Sequence, residues 1–220
     1  MSTETELRER LCMWGKSLFD RRLTSGSSGN ISLRLGDGFL MTPTNSCLGL
    51  LDPARLSKLD GNGRHLSGDE PSKEVPLHMA FYASRPASGA VVHLHSACAT
   101  AWSCRADLDP ADVFPPLTPY VLMRAGRVPL LPYADPGSEE IASAVRAAAA
   151  SASAVLLANH GPVVAGASLD AAVYAAEEVE EIAKLALLLD GRPVRHLPED
   201  AVARLLDRAK QASLGLSSRG

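Results

Sequence analysis

The chain has 220 residues, 46% of them hydrophobic, with 22 Lys and Arg against 25 Asp and Glu and a formal net charge of -3. That apolar fraction supplies one substantial core, and a single domain over 1–220 is the expectation at this length. The near-balanced charge, without a long basic run or a basic amphipathic stretch, excludes the footprint of a nucleic-acid binder and of a membrane-surface helix.

The opening segment, MSTETELRER, is acidic and polar and lacks the positive and apolar regions of a secretory signal. No apolar run approaches the length of a membrane span. Cys12, Cys47, Cys98 and Cys104 form no CxxC pair and no zinc-ribbon spacing, so they read as reduced thiols of a cytoplasmic protein.

Residues 3–23 place Leu7, Leu11, Trp14, Leu18 and Phe19 at helical spacing. A Gly- and Ser-rich turn, SGSSGN, covers 25–30. Alternation over 31–35, a Gly-Asp-Gly turn at 36–38 and a returning apolar run to Thr42 predict a β-hairpin. The run TPTNS at 42–46 breaks that strand, 52–57 reads as a short capped helical turn, and DGNG at 60–63 is a second hairpin signal. A helix is expected from the PSKE run at 71–74 to Ser84, a strand over 90–95, and another helix over 97–104. Residues 107–120 are Pro-rich and irregular, and 128–133 extended. An Ala-rich helix over 138–150, strands at 154–159 and 162–165, a long helix capped by Ser168 and running to Leu189, and a helix from Pro198 complete the chain, with a frayed end over 213–220. Hairpins mixed with helices predict an α/β sandwich with a largely antiparallel sheet.

His93 and His95 are two apart on a predicted strand, so both imidazoles face one side. Neutral imidazole suits zinc and other first-row ions. His160 stands where a buried strand meets a turn at Gly161, which allows close backbone approach. Glu74 completes a set of N and O donors, and a catalytic zinc site keeps one position open. HxH pairs also occur on exposed strands without a metal. His78 shares a helix face with Glu74 and is expected to be packed or hydrogen-bonded. His65 and His196 lie in polar surroundings and read as surface residues.

Three segments offer groups to an anion. Gly29 and Asn30 follow Ser28 in one turn, Thr44 and Asn45 follow Pro43 in another, and Ser72 and Lys73 open a helix whose free N–H groups and dipole favour negative charge. Each segment is equally ordinary turn chemistry or a helix cap.

Taken in order, SGNIS at 28–32, TPTN at 42–45, PSKE at 71–74, HLH at 93–95 and NHG at 159–161 resemble the class II aldolase/adducin family from about residue 5 to residue 190. The resemblance implies a three-layer α/β/α sandwich and a homotetramer with sites at subunit interfaces. It implies a divalent metal, Zn2+ or else Mn2+ or another first-row ion, on His93, His95, His160 and Glu74. Glu74 matches the family's acid/base carboxylate, while Asn30, Thr44, Ser72 and position 73 match its phosphate-binding positions. Sugar-phosphate aldolases commonly carry Ser where this chain has Lys73 and Gly where it has Asn45. The runs TPTNSCLGLLDPARLSKL, EPSKEVPLHMAFY and FPPLTPYVLMRAG look like the branch that decarboxylates 3-oxo-tetronate 4-phosphates.

The implied reaction is decarboxylation to dihydroxyacetone phosphate and CO2 through a metal-stabilised enediolate, with Glu74 and Tyr120 as proton-transfer candidates. Tyr120 is as readily a packed interface residue. The alternative is an aldolase or 4-epimerase acting on a ketose phosphate such as fuculose 1-phosphate or ribulose 5-phosphate. An adducin-like interaction module is disfavoured, because every metal ligand is kept.

Overall fold

A computed structural model describes residues 3–213. Thr3 opens the first helix, α1 (Glu4–Asp20), with a reciprocal cap: its side chain accepts from the Glu6 N–H, and the Glu6 carboxylate accepts from the Thr3 N–H at 2.8 Å. The helix buries Leu11, Gly15 and Leu18. A methyl group on Gly15 would lie 2.8 Å from the Leu48 carbonyl, so the short turn at Leu48–Leu50 packs directly on the helix backbone.

The first hairpin forms as expected, with β1 (Asn30–Leu35) antiparallel to β2 (Gly38–Met41). The second turn signal joins β3 (Ser57–Leu59) to β4 (His65–Ser67). Then follow α2 (Val75–Ser84), β5 (Ala90–His93), α3 (Ala97–Ser103), α4 (Pro119–Arg124), β6 (Leu130–Leu131) and α5 (Glu139–Ala149). The chain continues through β7 (Ala154–Leu157), β8 (Gly161–Gly166), α6 (Leu169–Leu188) and α7 (Glu199–Ser213). Eight strands form one sheet in the order β4-β3-β2-β1-β5-β8-β7-β6, and among these pairings β6–β7 alone is parallel.

Strand alternation sorts the interior into two cores. Ile31, Leu33, Val92, Leu156 and Val164 face one side, where they meet α1, α3 and α6. Val91, Val155, Leu157, Val163 and Ala165 face the other, against α2 and α5. Helices therefore cover both faces of a mostly antiparallel sheet, and the architecture is the three-layer α/β/α sandwich expected.

Four local expectations need correction. The strand expected over 90–95 ends at His93, so His95 stands beyond the ladder rather than on it. The helix expected from the PSKE run begins at Val75, with Glu74 at its N-cap position. The irregular stretch ends in a helix, α4, started by Thr118 and Pro119, a pair suited to the N-cap and first helical positions. Only Leu130 and Leu131 of the 128–133 segment pair as strand. All four cysteines are free thiols. Among the described residues no helix is long and apolar enough to cross a membrane. Apart from Ser213, which ends α7, the segment expected to fray lies outside the described residues.

Candidate metal centre and anion cradle

Residues distant in sequence meet where β5 and β8 end beside the start of α2. His93 is the last residue of β5, directly paired with Val163 of β8. His160 immediately precedes β8, after Asn159 in a left-handed conformation (φ 57°). Gly161 is required there: its φ is 147°, and a Cβ would sit 2.3 Å from the Leu94 carbonyl. Glu74 reaches the same point from the N-cap of α2.

The Nε2 atoms of His93, His95 and His160 form a triangle with sides of 3.0, 3.1 and 3.3 Å. The carboxylate of Glu74 lies 3.5 Å from His93 Nε2 and 3.6 Å from His160 Nε2. One donor atom from each of the four residues falls within 4.8 Å of all the others. A tetrahedral zinc ion with Zn–N bonds of ~2.0–2.1 Å places its nitrogens ~3.3 Å apart, so the donor set fits such an ion. His93 Nδ1–H donates to the Pro162 carbonyl at 2.9 Å, which leaves its Nε2 bare towards the cluster.

Burial lowers the pKa of His93 and His95 and takes His160 to about 4, so all three imidazoles are neutral, the form that binds metal. Burial also opposes the charge on Glu74, yet the surrounding imidazoles and the Asn30 amide outweigh it and hold the pKa below the ordinary value. Glu74 Oε2 accepts from Asn30 Nδ2 at 2.7 Å, while Oε1 is buried without a hydrogen-bond partner. A buried carboxylate oxygen left bare beside three imidazoles is a position for a cation or a proton.

The cluster opens into a cleft of about 460 Å³. Gly29, Thr44, Asn45, Ser72 and Lys73 line it with Glu74, His95 and His160. A bridge between Pro43 and Pro71, with the Thr44 N–H bonded to the Glu70 carbonyl at 2.8 Å, draws the 43–45 turn against Ser72 and Lys73. Gly29 approaches β5 so closely that a Cβ would lie 3.0 Å from the His93 carbonyl. The α2 amides expected to be free for an anion are in use: Glu74 N–H bonds Ser72 Oγ, Val75 N–H bonds the Ser72 carbonyl, and Pro76 has no N–H. Asn30 lines the cleft, but its side-chain amide is engaged by Glu74 and His78.

Tyr120 is brought to none of this: it lies exposed on α4, away from the lining of the cleft. Sequence reasoning passed over Ser25, Ser27 and Pro136, which complete that lining. The clustered serines before β1 were a usable signal, whereas nothing in the sequence ties Pro136 to the site.

Such an α/β sandwich, with a metal-type donor cluster at its strand ends, defines a class, and comparison with known proteins identifies it. The Class II Aldolase and Adducin N-terminal domain matches residues 9–187, and the chain belongs to that family. A curated relative named 3-oxo-tetronate 4-phosphate decarboxylase, from Escherichia coli (strain K12), is 52% identical over 203 residues, covering 92% of this chain and 96% of the relative. The L-fuculose phosphate aldolase of the same strain is 37% identical over 196 residues, covering 87% of this chain and 88% of the aldolase. The crystal structure of YgbL from Escherichia coli superposes with a TM-score of 0.91 at 50% identity, covering 93% of this chain and all (100%) of that one.

Proposed function

We propose that this chain is a metal-dependent carboxy-lyase that converts a 3-oxo-tetronate 4-phosphate to dihydroxyacetone phosphate and CO2. The observation that carries the reading is the shared cleft: a three-histidine, one-carboxylate cluster and the Lys73 ammonium open onto one cavity of about 460 Å³. A phosphorylated keto acid presents an oxygen pair to a cation at one end and a phosphate to a cradle at the other. Greater identity to the decarboxylase than to the fuculose aldolase supports decarboxylation over aldol cleavage.

His93, His95, His160 and Glu74 hold the ion, for which zinc is the choice that the N and O donor set supports. When bound, the metal supplies Lewis-acid stabilisation of the negative charge that develops on the substrate oxygens. Thr44, Asn45, Ser72 and Lys73 hold the phosphate, with Gly29 giving it room. The bond between the carboxylate carbon and its neighbour breaks, its electron pair stays on the neighbour as an enediolate, and a proton then adds to that carbon. Glu74 Oε1, unlike the Oε2 tied to Asn30, is free to carry that proton. A homotetramer with Tyr120 serving a neighbouring site belongs to the same proposal, supported by the exposure of Tyr120.

The test is metal-loaded protein with a 3-oxo-tetronate 4-phosphate, reading dihydroxyacetone phosphate through a coupled dehydrogenase and CO2 in parallel. Equal release of both, lost in His95→Ala, is the expected result. Turnover of a ketose phosphate with no CO2 from the keto acid would move the function to the aldolase or epimerase side.

A further inference from the structure

Behind the candidate metal centre lies a chain of buried polar groups that the reaction as described does not use. It zips the inner face of β1 to one face of α2. Residues 74, 78 and 82 recur every four positions on the helix, a rise of about 6 Å. Residues 30 and 32 recur every two on the strand, a rise of about 6.7 Å. The two repeats nearly match, so the side chains alternate from one element to the other. Asn30 Nδ2 meets Glu74 Oε2 at 2.7 Å, Asn30 Oδ1 meets His78 Nε2 at 2.5 Å, His78 Nδ1 meets Ser32 Oγ at 2.7 Å, and Ser32 Oγ meets Tyr82 OH at 2.9 Å.

The direction of every hydrogen follows from the carboxylate end. An ionised Glu74 only accepts, so the Asn30 amide must donate to it and turn its carbonyl to His78. His78 must then carry its proton on Nε2. Full burial keeps this imidazole neutral, with its pKa pushed down to about 3, so Nδ1 is a bare acceptor and the Ser32 hydroxyl donates to it. Ser32 Oγ in turn accepts from the Tyr82 hydroxyl. All four hydrogens point towards Glu74. Each of the five residues is at most 5% exposed, which leaves no place for water to satisfy a reversed arrangement.

We propose that His78, Ser32 and Tyr82 are positioning residues: they lock the orientation of the Asn30 amide, which pins Glu74 Oε2 and presents Oε1 to the metal centre. The proposal rests on the reading of Glu74 as a working carboxylate of the lyase. It also reassigns Asn30, whose amide serves the carboxylate rather than the substrate phosphate. A polar zipper of this kind could be replaced by well-packed apolar side chains without loss of the sheet–helix contact; its directed hydrogens have a purpose only at the end where Glu74 stands.

The test has a spectroscopic and a kinetic arm, both on the full chain. In ¹⁵N-histidine-labelled protein, with the His78 signals assigned by their absence in His78→Gln, the Nε2–H tautomer is expected with and without zinc. A Nδ1–H tautomer would overturn the proposal. In the kinetic arm, Ser32→Ala and the near-isosteric Tyr82→Phe should lower kcat with KM unchanged. His78→Leu should lower it further, by about 10- to 100-fold as for other outer-shell partners. His78→Gln, which keeps one donor and one acceptor, should recover most of the loss. Zinc content and melting temperature are read on the same samples. Wild-type kcat in both Ser32→Ala and Tyr82→Phe, or losses that only track zinc content or folded fraction, would overturn it equally. If the wild type released neither CO2 nor an aldol product, the lyase reading would fall, while the tautomer would still decide the zipper.

Discussion

His93 donates its Nδ1–H to the carbonyl of Pro162 at 2.9 Å, tying the end of one central strand to the start of its neighbour. The bond sets the tautomer of the first metal-type ligand from the same segment that carries the third, His160. Two imidazoles from different parts of the sequence are thus oriented by one local geometry.

Gly161 is the tightest element of that geometry. With φ at 147° and the Leu94 carbonyl 2.3 Å from where a Cβ would stand, Gly161→Ala must push β8 away from the segment bearing His95. Strained backbone of this kind costs about 1–3 kcal/mol. A lowered melting temperature and weaker zinc affinity are expected together, measured by calorimetry and by competition with a chelating dye. A variant with native zinc affinity would show that the close approach is not what holds the histidines in place.

Glu74→Gln keeps the volume of the side chain and removes its charge. Loss of a general acid–base group lowers kcat by about 10²–10⁴-fold, and this is the range expected for product release at saturating zinc. Turnover at the wild-type rate would remove Glu74 from the proton-transfer step.

Lys73 is exposed at the rim of the cleft and forms no ion pair among the described residues. A hydrogen bond to a charged group contributes about 1.5–3 kcal/mol, so Lys73→Met should raise KM about 10- to 100-fold and weaken inhibition by inorganic phosphate in step. An unchanged KM and unchanged phosphate inhibition would assign the anion to other groups.

The neutral, buried histidines set an acid limit on the metal-free protein. Burial takes His78 to about 3 and His160 to about 4, both below the ~6.5 of an unfolded histidine. Between those values the unfolded chain binds more protons than the native one, so stability rises with pH. This stability is fully present above pH ~6.5 and is lost as the pH falls towards 4 and then 3. The melting temperature of the apoprotein should fall steadily from pH 7 to 4.5. A flat profile over that range would mean that these imidazoles are not held neutral.

Much of this was legible before any coordinates, because the relevant signals are local. Alternation at 31–35, the Gly-Asp-Gly turn and the apolar run at 154–157 each specify their own element. The motif set brought Glu74, His93, His95 and His160 together in the resemblance, and they meet in space. What could not be read depends on partners far along the chain. Periodicity extended β5 through His95, but the ladder stops where β8 gives way to the turn holding His160. The Pro-rich character of 107–120 masked the Thr118–Pro119 start of α4. Asn30 looked like a phosphate ligand because its turn suits one, and only the position of α2 reveals that Glu74 and His78 occupy its amide.

The sheet order places β1, β5 and β8 side by side in the middle, with β4 and β6 at the edges. The imidazole cluster hangs on those inner strands, whereas Thr44 and Asn45 sit in a connecting turn. Opening of the inner strands approaches global unfolding, and connecting turns open at far lower free energy. Amide hydrogens of Val91, Val92 and Val164 should therefore be among the last to exchange with solvent, and those of the 43–46 turn among the first. The ion and the anion answer to different thermal fluctuations: the cradle can open and close around a substrate many times while the centre beneath it stays assembled.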